Sequence, residues 1–399
     1  MDDMGLAATV GYLTPERIMI RDMARQFVDE EVTPLANRLD PEHGDIPREL
    51  IKRMGELGFF GILVPEELGG LGLGAFEYCL VAEELARGWM SVASVLARAN
   101  GFYKSVPGTE VERREKIAAM IRGDYLGSGA LSEPQTGSDL SNVATKARRE
   151  GDEWVITGNK YWCTFADGAD CIIVLCKVDD PDAAPGAKAR TVMVAVEKPK
   201  GELPNNCSGA PIPKIGYFGW KTWELRFEGT RAPVQADENL NDGRGFQAAA
   251  AMLGIARAHT AARSIGQAQA ALDHAIAYAK DRVQFGRPIS DFQAIRFKIA
   301  TMATEIEAAR QLMYHTCAQI DAGKGSSLET SMAKYYASEM SERVTSEALQ
   351  ILGGAGYTTL HPVERYWRDA RLTKIIEGTS EIQQRIISDI LLGKPTRPD

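Results

Sequence analysis

One stretch near the C-terminus organises the interpretation of this chain: RDARLTKIIEGTSEIQ, residues 368–383. Of its three carboxylates, Glu377 is the one that follows two isoleucines and precedes a Gly-Thr turn. Glycine allows the backbone to turn sharply beside the carboxylate, and Thr379 or Ser380 can cap the helix that the later isoleucines predict. A carboxylate on a turn among apolar side chains is partly desolvated, which favours general-base chemistry. Taken alone, the same pattern also fits a simple helix cap.

Four other motifs occur upstream of this stretch. They are GALSEPQTGSD at 129–139, GNKYWCT at 158–164, RVQFG at 282–286 and QILGGAGY at 350–357. Together with EGTS at 377–380, and in this order and spacing, they resemble the acyl-CoA dehydrogenase family over essentially the whole chain. The resemblance implies an enzyme that binds FAD and uses Glu377 to remove the α-proton of an acyl-CoA thioester.

Composition and charge exclude several classes of protein. The 399 residues are 44% hydrophobic and 25% charged, as in an ordinary globular protein with room for more than one domain. The net charge of −8 gives no basic excess for nucleic-acid binding. Six cysteines without a C-x-x-C pair and five histidines without H-E-x-x-H predict no structural metal and a reducing compartment.

No targeting or membrane signal is evident in the sequence. The N-terminus lacks a basic region followed by an apolar one, and no run of about 20 apolar residues occurs. We therefore expect a protein without a membrane partner, located in the cytoplasm or, in a eukaryote, in the mitochondrial matrix.

Hydrophobic periodicity divides the chain into three parts and predicts an α+β fold like that of acyl-CoA dehydrogenases. We predict an N-terminal α-helical domain over 1–125, a middle β domain of barrel-like or sandwich form over 126–240, and a C-terminal four-helix bundle over 241–399. Thr14 and Pro15 predict the start of a helix. The long helices are predicted at 246–280, 291–322, 328–352 and 379–392, and the strands at 153–156, 171–176, 191–196 and 223–227. A loop is predicted at 179–188.

The flavin site follows from chemistry and from the resemblance. An isoalloxazine ring needs an aromatic or apolar face and directed hydrogen bonds, and a pyrophosphate needs backbone N–H groups and cations. The resemblance implies that Trp162 and Thr164 contact the ring, although Trp162 also fits a core position of the β domain. The residues assigned to the cofactor are Leu131, Ser132, Gly137, Ser138, Trp162, Thr164, Arg282, Gln284, Phe285, Gln350, Gly353, Gly354, Thr379 and Glu381.

The RVQFG motif bears on how subunits of this protein assemble. The resemblance implies that Arg282, Gln284 and Phe285 reach the adenosine diphosphate half of FAD from a neighbouring subunit, in a homotetramer built as a dimer of dimers. The alternative is that this basic and aromatic turn is only a helix end. The resemblance also implies an electron-transfer flavoprotein as the partner that accepts the electrons.

The substrate site is expected around Glu377. The resemblance places an arginine, Arg257, on the helix that faces the catalytic loop. Some relatives carry their base at the position of Ala256, and alanine cannot serve, which leaves Glu377. The residues assigned to the substrate are Ser94, Arg98, Ser138, Arg257, Thr260, Ile376 and Gly378.

Arg98 bears on the identity of the acyl group. It stands four residues after Ser94 on an otherwise apolar helix, where a guanidinium is costly to bury unless it meets an anion. We predict that Arg98, supported by Ser94, binds the free carboxylate of a substituted succinyl thioester, while Ile376 leaves room for the substituent. The alternative is that Arg98 points to solvent and its stem covers apolar surface.

Several functions remain open at this point. The YWCTFADG sequence at 161–168 resembles the dehydrogenases of benzylsuccinyl-CoA and methylsuccinyl-CoA. The alternatives are a dehydrogenase of short or branched-chain acyl-CoA or of glutaryl-CoA, a flavin oxidase or monooxygenase on the same fold, and a non-catalytic acyl-CoA-binding relative. An intact Glu377 argues against the last of these.

Overall fold

The computed structural model describes residues 11–180, 190–235 and 245–395, with the backbone alone described for 245–253. The predicted loop at 179–188 falls almost wholly outside these ranges. Within them the fold is α+β, as predicted: helices, then a sheet, then long helices again. No helix in the described ranges is long and apolar enough to span a membrane.

Among residues 11–126, six α-helices precede the sheet, and the predicted start of the first one is confirmed. The Thr14 hydroxyl accepts a hydrogen bond from the Arg17 N–H, and Pro15 occupies the first helical position. The helices are α1 (Pro15–Phe27), α2 (Thr33–Leu39), α3 (Arg48–Glu56), α4 (Ala75–Gly88), α5 (Met90–Asn100) and α6 (Glu110–Ile121). Nearly every residue of α4 and most of α5 are buried, so these two helices form the interior of this part.

The middle part is one seven-stranded sheet in the order β1-β4-β2-β3-β7-β6, with β5 paired to β4. The strands are β1 (Gly127–Ala130), β2 (Lys146–Glu150), β3 (Glu153–Thr164), β4 (Cys171–Val178), β5 (Thr191–Glu197), β6 (Cys207–Pro211) and β7 (Thr222–Pro233). The four predicted strands are confirmed. The sequence analysis missed β1, β2 and β6 because they are short and consist mainly of small or charged residues. Separate apolar clusters cover the two faces of β4.

An irregularity in the sheet positions the residues of interest. Strands β3 and β7 pair antiparallel, and their register shifts between Lys160 and Cys163. Trp162 lies in this shift with a φ of +63°, which is unusual for a residue with a side chain. The bulge turns the indole out of the regular alternation of the strand.

The C-terminal part contains the four predicted long helices and one that was missed. They are α7 (Gly245–Asp281), α8 (Gln293–Asp321), α9 (Ser327–Leu352), α10 (Val363–Thr373) and α11 (Ser380–Leu392), with a β8–β9 hairpin (Val283–Gln284 and Arg287–Pro288) after α7. Helix α10 was missed because its sequence, VERYWRDARLT, is dominated by charge. Helix α7 packs against α4 on one side and α9 on the other, which joins the two helical parts into one core.

Candidate active site

The loop between α10 and α11 presents the predicted base. Glu377 and Gly378 both have left-handed backbones, with φ of +54° and +92°. A methyl group on Gly378 would lie 2.4 Å from the side-chain nitrogen of Gln383, so glycine is required there. Thr379 caps α11 by accepting a hydrogen bond from the Ile382 N–H at 3.3 Å, as the sequence predicted.

Two buried side chains hold this loop in place from below. Lys334 of α9 donates from Nζ to the Gly378 carbonyl at 2.7 Å, and Gln383 of α11 donates to the same oxygen at 2.9 Å. Burial lowers the pKa of Lys334 to about 8. Neither residue was predicted, since nothing local marks a lysine within a long helix as the anchor of a distant turn.

The carboxylate of Glu377 has polar neighbours on both oxygens. Oε1 accepts a hydrogen bond from Nη2 of Arg263 at 2.8 Å, and Oε2 is in hydrogen-bond contact with the Thr260 hydroxyl. The Glu377 side chain is 29% exposed. The carboxylate thus has two polar partners, a guanidinium and a hydroxyl, which the sequence analysis did not foresee.

Arg263 is a further residue of this site that the sequence analysis missed. Its side chain is only 2% exposed, and it donates to Ser94 Oγ and to Thr260 Oγ1, each at 2.8 Å. Burial opposes its charge, but the neighbouring carboxylate of Glu377 prevails and raises the pKa of Arg263. Ser94 therefore supports Arg263, and its predicted pairing with Arg98 is corrected.

Arg98 lies beside this cluster, and its guanidinium is turned inward. Its Nε is buried and without a hydrogen-bond partner among the described residues. The guanidinium lies 6.0 Å from the centre of the Trp220 ring and interacts with Tyr217. Burial lowers the pKa of Arg98, and the positive charge of Arg263 adds to this effect. The residue as a whole is partly exposed, but the buried Nε and the contacts with Trp220 and Tyr217 favour the inward orientation over the alternative in which Arg98 points to solvent.

The segment 214–221, here called the tyrosine loop, brings Tyr217 and Trp220 to Arg98. Lys214 Nζ donates to the carbonyls of Tyr217 and Trp220, both at 2.8 Å. The Tyr217 N–H donates to Asp369 of α10, and the Ser91 hydroxyl of α5 donates to a carbonyl in the loop. The loop therefore bridges the sheet and both helical parts, and closes the site over α5.

Asp369 is a charged residue in the interior beneath the tyrosine loop. It is 2% exposed and lies near a second buried carboxylate, Asp40. Burial raises the pKa of Asp369 to about 7, and the charge of Asp40 adds to the shift. This anchor of the loop thus changes charge near neutral pH.

The remaining residues assigned to the substrate lie in different places. Ile376 and Gly378 flank Glu377 in the same loop. Arg257 is 8% exposed, burial lowers its pKa, and its Nε has no partner among the described residues. Ser138 is exposed in the segment that follows β1.

The flavin-binding residues were predicted around Trp162, and their surroundings fit an aromatic ring. Trp162 is 55% exposed, so it is not a core residue, and it meets Tyr161 edge-on with ring centres 4.7 Å apart. The hydroxyls of Thr164 and Thr222 lie 3.2 Å apart nearby on adjacent strands. A large exposed aromatic face beside hydroxyl groups is suited to stacking and to directed hydrogen bonds.

A buried ion pair holds the segment that carries Leu131 and Ser132. Lys160 and Glu133 are joined at 2.9 Å with side chains 0% and 1% exposed, and Lys160 also donates to the Leu131 carbonyl at 3.0 Å. The Tyr161 N–H donates to the Ser132 carbonyl at 2.8 Å. This segment is therefore rigid next to Trp162. A methyl group on Gly137 would meet nothing within 4 Å, which leaves the backbone open to a ligand.

The other residues assigned to the cofactor lie on the surface of the chain. Phe285 is 93% exposed at the tip of the β8–β9 hairpin, with a φ of +53°. Gly353, with φ of +59°, ends α9. Arg282, Gln284, Gln350, Gly354 and Glu381 are also exposed. The described residues contain no group of three or more histidine, cysteine or acidic side chains that could hold a metal ion.

Family models for acyl-CoA dehydrogenases match the chain in three consecutive segments. The N-terminal domain model matches residues 14–124, the middle domain model 128–230 and the C-terminal domain model 243–392. The three matches together account for most of the chain.

Three relatives are similar over nearly the whole chain. A 3-(aryl)acrylate reductase of Clostridium sporogenes is 38% identical over 96% of this chain and 100% of its own length. The mitochondrial short-chain specific acyl-CoA dehydrogenase of Bos taurus is 39% identical over 94% and 89%. A (2S)-methylsuccinyl-CoA dehydrogenase of Cereibacter sphaeroides is 36% identical over 95% of this chain and 70% of its own.

Solved structures agree with this grouping. Butyryl-CoA dehydrogenase from Megasphaera elsdenii superposes with a TM-score of 0.86 at 32% identity, over 95% of this chain and 99% of that one. A glutaryl-CoA dehydrogenase from Mycobacterium smegmatis in complex with FADH2 gives 0.88 at 27%, over 98% of each chain. A chain from work on the electron transferring flavoprotein of Acidaminococcus fermentans and flavin-based electron bifurcation gives 0.86 at 36%, over 96% and 99%.

Proposed function

Because this chain belongs to the acyl-CoA dehydrogenase family of oxidoreductases, we propose that its substrate is a 2-substituted succinyl-CoA, such as methylsuccinyl-CoA or benzylsuccinyl-CoA. The product is the corresponding 2-enoyl-CoA. Members of this family depend on FAD, and an electron-transfer flavoprotein is the proposed next electron acceptor. The neighbour from the electron transferring flavoprotein of Acidaminococcus fermentans supports that partner.

In the proposed mechanism Glu377 removes the α-proton of the thioester. Bound FAD supplies the acceptor for the hydride that leaves the β-carbon. The left-handed turn at Glu377 and Gly378 sets the direction of the carboxylate, and Lys334 fixes the turn through the Gly378 carbonyl. The Glu377 N–H is the proposed donor to the thioester oxygen, where negative charge develops as the proton leaves.

The inward guanidinium of Arg98 is the observation that carries the choice of substrate. Arg98, Arg263 and Glu377 bring two positive charges and one negative charge together. No carboxylate pairs with Arg98 among the described residues. A buried charge without a counter-ion is costly, and a carboxylate on the acyl group would remove the imbalance. An acyl chain without a charge would leave it in place.

The relatives give mixed support for the acyl group. The methylsuccinyl-CoA dehydrogenase favours a branched dicarboxylic substrate, and the reductase of 3-(aryl)acrylate favours an aryl substituent. The short-chain relatives favour a neutral acyl group instead, and the mostly apolar residues of α5 are compatible with it. A short-chain substrate is therefore the second candidate.

A panel of CoA esters tests the proposal directly. Anaerobic bleaching of the enzyme-bound flavin is followed with methylsuccinyl-CoA, benzylsuccinyl-CoA, glutaryl-CoA, butyryl-CoA and isovaleryl-CoA. We expect the largest second-order rate constant with a 2-substituted succinyl-CoA. Preference for butyryl-CoA over every dicarboxylic ester would contradict the proposal and support the second candidate. Rapid reoxidation of the reduced enzyme by air would indicate an oxidase.

The Arg98→Met variant identifies the group that recognises the carboxylate. We expect it to lose about 2–5 kcal/mol of transition-state stabilisation with a succinyl derivative, the cost of truncating one partner of a buried charge pair, and much less with butyryl-CoA. The measurement is the rate constant of flavin bleaching at low substrate concentration. Arg122→Met, at a guanidinium that is 62% exposed, serves as the control. Equal losses on both substrates would contradict the role of Arg98.

A further inference from the structure

We propose that Arg263 is a positioning residue that restrains Glu377 in the free enzyme and releases it when the carboxylate of the substrate enters the site. This inference rests on the proposed dicarboxylic substrate. It gives Arg263 a function that recognition of the carboxylate by Arg98 does not supply, because it couples the identity of the acyl group to the availability of the base.

Both oxygens of Glu377 are occupied in the structure. Oε1 accepts from Arg263 and Oε2 contacts the Thr260 hydroxyl. A carboxylate must direct a free lone pair at the α-carbon to take its proton, since general-base catalysis needs hydrogen-bond reach in the reacting pose. Each oxygen keeps a second lone pair, but the two contacts fix the direction of the carboxylate. In this proposal Glu377 loosens at least one of them to turn toward the α-carbon.

Thr260 and Arg263 can each remain in place when Glu377 moves away. The Thr260 hydroxyl has one proton, and a second acceptor, the Ala256 carbonyl, already lies 2.9 Å away. Arg263 is fixed by Ser94 and Thr260 and is almost fully buried, whereas Glu377 is 29% exposed on a turn. When the contact breaks, the mobile partner is Glu377.

The remaining requirement is a replacement anion for Arg263. A buried guanidinium that loses its only carboxylate partner is strongly destabilised. Arg263 donates to Ser94 at 2.8 Å, and Ser94 lies one helical turn before Arg98 on α5. In this proposal a substrate carboxylate near Arg98 therefore also lies near Arg263. The incoming carboxylate compensates both cations, and Glu377 is set free. A neutral acyl group brings no replacement, so Glu377 stays restrained and proton removal is slow.

The direct test is Arg263→Gln, studied by anaerobic stopped-flow reduction of the flavin at saturating substrate. With butyryl-CoA we expect the maximal reduction rate constant to rise by about tenfold, because the base is no longer held by a charged hydrogen bond. With methylsuccinyl-CoA we expect that rate constant to change by less than about threefold, while the dissociation constant rises by about tenfold or more. A purely structural role would lower both rate constants together.

The Arg263→Lys variant covers the case in which the glutamine variant does not fold. A lysine keeps the charge that restrains Glu377, but a single ammonium group lacks the fork that serves several acceptors. We expect its rate constant with butyryl-CoA to remain within about threefold of wild type, and its dissociation constant for methylsuccinyl-CoA to rise. A faster reaction with butyryl-CoA in this variant would contradict the restraint.

A small carboxylate supplies a test on the wild-type holoenzyme. With propionyl-CoA as substrate, added acetate should occupy the place of the missing substrate carboxylate and accelerate flavin reduction saturably, by several-fold. Acetamide, the neutral analogue of acetate, should not accelerate it, and Arg263→Gln should not respond to acetate. No acceleration of the wild type by acetate would overturn the proposal.

The two hypotheses fail in different experiments. If the wild type shows no preference for a succinyl derivative, the proposed substrate is wrong, whatever Arg263 does. If that preference holds but Arg263→Gln slows the reaction with butyryl-CoA, the substrate stands and the restraint is wrong.

Discussion

At the scale of single residues, the chemistry depends on a carboxylate that is partly exposed and yet hydrogen-bonded through both oxygens. Glu377 stands on a left-handed turn that only the following glycine makes possible. Its counter-ion, Arg263, comes from the long helix α7, more than one hundred residues earlier. The base is thus placed by its own loop and restrained by a different element.

Removing the charge of Glu377 separates catalysis from cofactor binding. We expect Glu377→Gln to retain FAD, since the amide is nearly isosteric, and to lose flavin reduction by substrate by about 10²–10⁴-fold, the usual contribution of a general base. Anaerobic bleaching with the best substrate of the panel is the measurement. Glu115→Gln, at an exposed carboxylate of α6, is the control. Bleaching at the wild-type rate in Glu377→Gln would remove this residue from the mechanism.

Single residues were predictable where the signal is local. The glycine beside Glu377 and the cap at Thr379 are set by neighbours within a few positions, and the structure has both. Arg263 gave no such signal, because an arginine within a long helix is usually interpreted as a solvent-exposed residue. Ser94 was paired with Arg98 by their helical spacing, but the nearer guanidinium comes from another helix.

At the scale of elements, the tyrosine loop is the part of the site most dependent on distant support. Its backbone is held by Lys214 within the loop, by α5 and by Asp369 of α10. Helix α10 thereby has two roles, since it leads into the catalytic loop and also anchors the loop that faces Arg98. Movement of α10 would displace both sides of the site together.

The charge of Asp369 makes the stability of this arrangement depend on pH. Its pKa of about 7 in the folded protein exceeds the usual value of about 3.9 for an unfolded chain, so the folded state binds the proton more tightly. The stabilisation is complete below the unfolded pKa and is lost as pH rises through about 7. Over pH 4 to 8 we expect a loss of roughly 2–4 kcal/mol in the free energy of unfolding from this group.

Asp369→Asn tests that expectation, because an amide does not titrate. We expect the difference in unfolding free energy between wild type and Asp369→Asn to shift against the wild type as pH rises from 4 to 8. Urea unfolding of the holoprotein, followed by tryptophan fluorescence, measures it. Asp124→Asn, at a carboxylate 58% exposed, provides the comparison. Parallel curves for wild type and Asp369→Asn would show that Asp369 does not titrate in this range.

Helices and strands could be predicted from the sequence when they were long or had a clear pattern of apolar residues. The long helices α7, α8 and α9 have continuous periodicity, and the apolar strands β4 and β5 are unmistakable. The short β1, with the sequence GSGA, has no such pattern and is defined by its pairing with β4. Helix α10 buries Arg365 and Asp369 along with its apolar residues. Its buried face is therefore not marked by a regular spacing of hydrophobic residues in the sequence.

At the scale of the whole molecule, the hairpin after α7 is an exposed feature of the single chain. The side chain of Phe285 is almost fully exposed to solvent in the single chain, and Arg282 and Gln284 are exposed beside it. The resemblance assigns these residues to FAD held by a neighbouring subunit. That assignment remains a prediction, because it concerns an assembly and not the single chain.

Arg282→Ala tests the shared site. We expect FAD retention and oligomer stability to fall together, since a ligand held across a subunit boundary stabilises the assembly by mass action. The flavin-to-protein absorbance ratio and sedimentation velocity of the same sample are the measurements. Arg226→Ala, at a guanidinium 67% exposed on β7, is the matched control. Full FAD occupancy in a demonstrably monomeric sample would refute sharing.

The architecture was predictable as a whole because five motifs in a fixed order constrain it more than any single one. The way the three parts meet was not. The contacts of the tyrosine loop with Arg98 join residues more than one hundred positions apart in the chain, so no local pattern predicts them. They depend on hydrogen bonds that Ser91, Lys214 and Asp369, which are far apart in the chain, each make to the backbone of the loop.

Arg98 and Arg263 come from different parts of the chain, and this affects what a chimaeric protein would retain. Arg98 belongs to the N-terminal helices and Arg263 to the C-terminal ones, with the sheet between them. A crossover anywhere within the sheet would exchange one guanidinium and keep the other. A chimaera between this chain and a relative with a neutral acyl substrate would thus inherit either Arg98 or Arg263. One crossover point is therefore enough to separate the contribution of each arginine to substrate choice.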